Sequence, residues 1–166
     1  MRAPAVTAPP GRASPAAPLL VVNFAACLLL LIQYLLGMVV NLYVVLPGRH
    51  PGAGAHSYFS GAASGLGWVM TRGPGWAAAH AAFGLALVLA ALASIALTWR
   101  PGGHIGRVTS VLGALAIVGA AFNGASFLNY GHDFSSMIMA GLWALALACY
   151  LTGMLLAARR PGREIM

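Results

Sequence analysis

The sequence predicts an all-α, polytopic membrane protein: a four-transmembrane-helix bundle with its N and C termini cytoplasmic. Three observations carry that expectation. Charged residues are 7% of the 166 and hydrophobic residues 60%. A soluble domain carries about 25% charged residues, so this chain lacks the polar surface that water demands. Four apolar runs each reach the roughly 20 residues that cross a hydrocarbon core about 30 Å thick. The arginines, finally, fall between and beyond those runs with a strong bias to one side.

Taken in order, residues 1–18 are rich in Ala and Pro and read as a disordered tail. The first span, 19–46, follows Arg2 and Arg12. It is far longer than the roughly 7–15 apolar residues of a signal-peptide core, so it is expected to stay as an anchor. The connection 47–75 has Pro/Gly punctuation up to Ala55, then Tyr58, Phe59, Leu66 and Trp68. That second half suits a short helix lying in the interface, where aromatic rings prefer to sit. Spans 76–99, 105–128 and 134–158 are joined by short links, so neighbours should pack antiparallel. In lipid the backbone must be bonded within the segment, which makes each run a helix. Residues 159–166 form a basic tail.

The formal charge of +7 comes from nine arginines and no lysine against Asp133 and Glu164. On a soluble chain that balance would suggest nucleic acid. Here the arginines act as topology signals. Arg2, Arg12, Arg100, Arg107, Arg159, Arg160 and Arg163 fall on one side, and only Arg49 and Arg72 on the other. Both termini and the 100–104 turn are therefore expected in the cytoplasm and the 47–75 loop outside. The expected partner is the lipid bilayer of a bacterial cytoplasmic membrane, with a homo-oligomer or a larger membrane complex as further partners and no nucleic acid. Cys27 and Cys149 both lie in apolar runs, which gives neither a disulfide framework nor a CxxC site. No GxSxG, P-loop, HExxH or paired carboxylate supports catalysis.

Polar groups inside spans are costly and usually face the bundle interior. In the first span Asn23, Gln33, Gly37 and Asn41 fall near one stripe, and in the third Thr109, Gly113, Ala116, Ala120 and Asn123 do the same. Ala78, Ala82, Ala86 and Ala90 make a small-residue ridge in the second, and Ala140, Ala144 and Ala148 one in the fourth. Such ridges let helices approach closely. His80 is the ionisable group that needs an explanation. It lies one turn inside its span, where a neutral imidazole needs partners for both ring nitrogens. Asn41 and Asn123 are its expected partners by depth.

Polar chemistry thus gathers toward the outer mouth, around His80, Asn41, Asn123, His132 and Asp133, with Asn129 also toward that end. One reading is a b-type haem for electron transfer, with His80 and His132 as axial ligands and Gly84 and Ser136 as slim neighbours. At 1.5 Å per residue His80 sits about 11 Å above its helix midpoint and His132 about 20 Å above its own. Tilt or a late helix start must absorb the difference. A second reading is an external metal or proton site, or a small-solute transport component, on His50, His56, His80, His132 and Asp133, whose N and O donors suit zinc or copper. A third is a structural or accessory membrane subunit without cofactor, its polar residues serving as glue between helices.

Overall fold

Each apolar run becomes a helix, and the chain between the first two contributes one more. In the computed structural model, residues 17–99, 104–131 and 134–159 are described. The tail expected over 1–18 and the basic segment 159–166 therefore lie almost wholly outside the described residues, as do His132 and Asp133. The elements are α1 (Ala17–Tyr43), α2 (Tyr58–Arg72), α3 (Gly75–Thr98), α4 (His104–Tyr130) and α5 (Phe134–Ala158). All but α2 are long and apolar enough to cross a membrane.

Helix ends follow local chemistry. The first span stops at Tyr43 rather than at residue 46, since Leu46 precedes Pro47 and a residue before proline is pushed toward extended backbone. At the other end of the chain order, α4 runs to Tyr130 and closes on Gly131, which has φ +69° and donates its N–H to the Phe127 carbonyl. The helix expected in the interface is present as the 15-residue α2. It ends where Gly73 donates to the Trp68 carbonyl, just before Pro74.

The four long helices form a ring in the order α1, α3, α4, α5, with α1 closing on α5. Successive helices alternate in direction, so all four contacts are antiparallel, and α1/α4 and α3/α5 lie on the diagonals. α2 covers α3 and α4 at the end of the bundle that carries the 44–57 connection, called the loop end below. The core is built from Ala26, Cys27 and Leu30 of α1, Leu87 and Ala91 of α3, Ala114, Ala116 and Ile117 of α4, and Ala146 and Tyr150 of α5.

Two of the expected ridges are rotated. On α3 Ala82 is exposed and Ala86 and Ala90 only half-buried, while Leu87, Ala91, Ser94 and Thr98 face inward. On α5 Ala140, Ala144 and Ala148 are all exposed, and Ser135, Ala146, Tyr150 and Gly153 are buried. The reason is geometric. At 3.6 residues per turn a strict four-residue spacing drifts about 40° per step around the helix. A face that stays inward alternates steps of three and four. The α4 stripe has such mixed steps, and its Thr109, Gly113 and Ala116 are indeed buried.

Candidate functional site

The imidazole of His80 leaves α3 toward α1 and meets Gln33. The Gln33 Nε2 amide donates to His80 Nε2 at 3.2 Å. With Nε2 accepting, a neutral ring carries its proton on Nδ1. Two glycines make the reciprocal fit possible. A Cβ at Gly37 of α1 would stand 3.2 Å from His80 Cε1, and one at Gly84 of α3 would stand 3.2 Å from Gln33 Nε2. Each helix thus offers a glycine where the other presents its polar side chain. His80 Nδ1 and Gln33 Oε1 are buried without a hydrogen-bond partner among the described residues.

His80 therefore has a partner from another helix, but neither of those expected. Depth counted from helix ends assumes level ends, and here they are not level. His80 lies between the levels of Gln33 and Gly37, so α1 projects about one turn beyond the start of α3. Asn41 consequently misses α3 and binds α5, its Oδ1 accepting from Ser136 Oγ at 3.0 Å. Asn123 Nδ2 of α4 donates to the Ser135 carbonyl of α5. Asn41, His80 and Asn123 do not form one pocket; they pin three different interfaces.

The remaining interfaces are held in the same way. At the end away from the loop, Ser94 of α3 donates to Asn23 Oδ1 of α1 at 2.7 Å. Ser94 has only one proton, so the Ser110 hydroxyl of α4 donates to Ser94 Oγ across their 2.9 Å contact. All three side chains are buried. Nearer the middle, the Trp143 indole N–H of α5 donates to the Leu30 carbonyl of α1 at 2.7 Å, and Trp143 rests on Tyr34 at 4.8 Å between centroids. Every contact in the ring is thereby joined by at least one polar pair. Between the polar tiers lies an apolar layer containing Leu30, Leu87, Ile117 and Ala146.

Asn129, at the end of α4, was placed toward the outer end by the sequence, but its partner was missed. Its Oδ1 accepts from the Ala55 N–H at 3.1 Å, and its carbonyl accepts from the Gly54 N–H at 2.8 Å. It ties the connection to the bundle. Tyr58 of α2 adds a hydroxyl bond to the Phe122 carbonyl at 2.6 Å and stacks on the Phe122 ring. Ser94, Ser110 and Ser135 were also missed, since a lone serine in an apolar run carries little signal. Their place on inward steps of three and four was the available clue.

Of the proposed metal set, His50 sits in the connection, stacked on Trp68 with ring centroids 4.6 Å apart, and its Nδ1–H is donated to the Pro51 carbonyl at 3.0 Å. His56 is exposed, and His80 is in the α1–α3 contact. His132 and Asp133 lie outside the described residues. Among the described residues no group of three or more His, Cys, Asp or Glu is placed to hold a metal ion. Gly84, expected as a slim neighbour of a haem, lies against Gln33, and Ser136, expected as another, donates to Asn41. Compared with known protein families, characterised proteins and solved structures, the chain matches none.

Proposed function

We propose that this chain is a structural or accessory subunit of the cytoplasmic membrane, with both termini cytoplasmic, working in an oligomer or a larger membrane complex. The observation that supports the reading is how the polar side chains of the spans are used. Asn23, Gln33, Asn41, His80, Ser94, Ser110, Asn123 and Trp143 all engage a neighbouring helix. Polar pairs of this kind hold helices together where lipid gives no hydrophobic drive between them. Long apolar side chains such as Val21, Leu35, Leu85, Leu89, Leu115 and Leu155 cover the outside, as contact with acyl chains or another membrane subunit requires.

Under this reading His80 is a joint of the α1–α3 contact, its Nε2 accepting from Gln33, and it ligates no haem. Protein purified from haem-replete cells is accordingly expected to be colourless above 400 nm, roughly the Soret region. A Soret band with sharp reduced α and β bands, lost in His80→Ala, would overturn the accessory reading in favour of b-haem electron transfer.

A further inference from the structure

On the outside of the bundle a groove of about 430 Å³ opens between α4 and α5. That volume is within the range of small-molecule sites, about 300–1,000 Å³. Tyr58, the first residue of α2, closes it toward the loop end. Gly119, Phe122, Asn123 and Ser126 of α4 form its back, and Ile138 of α5 its far edge. The α4 strip continues through Leu115, 62% exposed, at the steps of three and four that keep one helix face. The groove therefore opens sideways, on the apolar surface that acyl chains would cover. We propose that it binds a membrane-dissolved alcohol, a single hydroxyl group on an apolar chain.

The hydroxyl is selected by what the wall leaves unmet. A serine in a helix can return its hydroxyl to the carbonyl four residues back, which for Ser126 is that of Phe122. That carbonyl already accepts the helical N–H of Ser126 and, at 2.6 Å, the Tyr58 hydroxyl, so both its lone pairs are taken. Ser126 Oγ has no hydrogen-bond partner among the described residues. Asn123 is complementary. Its Nδ2 donates to the Ser135 carbonyl, which can only accept, so the free end of the amide is Oδ1. Three residues apart on one helix, the two side chains are neighbours, with Cβ atoms about 5–6 Å apart. One donor and one acceptor thus face the acyl region unpaired, where an unmet polar group is costly. A hydroxyl answers both, accepting from Ser126 and donating to Asn123 Oδ1. An ether, ester or carboxylate can only accept, and leaves Asn123 unmet. An ammonium ion would bring a charge into the span, and the described residues include no acid to balance it. The stacked Tyr58 and Phe122 rings, Gly119 and Ile138 give the chain an apolar bed. From Ser126 to Leu115 that bed runs about 16 Å.

The test uses the full chain in phosphatidylglycerol nanodiscs and a dodecanol carrying a photoactivatable diazirine on its chain. Labelling of the α4–α5 segment is expected to saturate. Unlabelled dodecanol should compete, dodecyl methyl ether should compete about tenfold more weakly, and dodecane should not compete. Two variants separate the hydroxyl from the groove. Ser126→Ala removes only a hydroxyl that bonds nothing else among the described residues, so the melting temperature should be unchanged while labelling weakens about tenfold. Ile138 is 40% exposed, so Ile138→Trp can fill the groove from its edge without entering the core, and labelling should be lost. Competition by the ether as strong as that by dodecanol, or labelling undiminished in either variant, overturns the proposal.

Discussion

Replacing Gly153 with leucine is expected to cost the bundle about 3 kcal/mol, enough to unfold much of the population in mild detergent. Gly153 is buried where α5 crosses the Asn23–Ser94–Ser110 tier. A Cβ there would stand 2.9 Å from Thr109 Oγ1 and 3.1 Å from Asn23 Nδ2. Neither side chain can step aside without loss, since Thr109 donates to the Gly106 carbonyl and Asn23 accepts from Ser94. A leucine must therefore push α5 away or break the tier, leaving buried polar atoms unpaired. Reversible unfolding in SDS, followed by circular dichroism, reads the change. Ala144→Leu, on the exposed face of the same helix, is the control and should stay within about 0.5 kcal/mol of the parent. Equal stability of Gly153→Leu and parent would mean that α5 is rotated away from α1 and α4.

Gly52→Ala is expected to release the connection from α2, at a local cost of about 2–3 kcal/mol. Gly52 has φ +95°, a conformation costly for any residue with a Cβ. An added Cβ would also collide with the Gly61 carbonyl and lie 2.7 Å from the Gly65 nitrogen, so backbone on both sides blocks it. The connection would then lose its seat, and with it the Ala55 and Gly54 bonds to Asn129. Trypsin cleavage after Arg49 reports this directly. The variant should be cut markedly faster than the parent, while far-UV ellipticity of the long helices is retained. An unchanged cleavage rate would show that the glycine is not what seats the connection.

The fold was legible because lipid leaves few choices. Four apolar runs had to be helices, and short links made neighbours antiparallel, as found. The inward stripes of α1 and α4 were also readable, because Asn23, Gln33, Gly37, Thr109 and Gly113 mark them with polar or very small groups. The stripes of α3 and α5 were not. There the alanines lie on several faces, and period-four regularity in such a helix says little about which face is covered. Residue-to-residue pairing was legible least. His80 was correctly expected to find a polar partner on another helix, yet the choice of Gln33 over Asn41 depends on α1 overshooting α3 by about a turn. No local feature of the sequence encodes that offset. The role of Asn129 was not legible because it depends on a loop 74 residues earlier in the chain.

The polar pairs are held here to be the joints of a membrane scaffold, and the His80–Gln33 pair is where that claim can be measured most directly. A double-mutant cycle of Gln33→Ala, His80→Ala and the combined variant isolates their interaction in the SDS unfolding free energy. Hydrogen bonds between membrane helices average about 0.6 kcal/mol and reach about 1.7. A coupling within that range is expected, with each single variant less stable than the parent. Additivity to within about 0.3 kcal/mol, or an His80→Ala protein as stable as the parent, would contradict it.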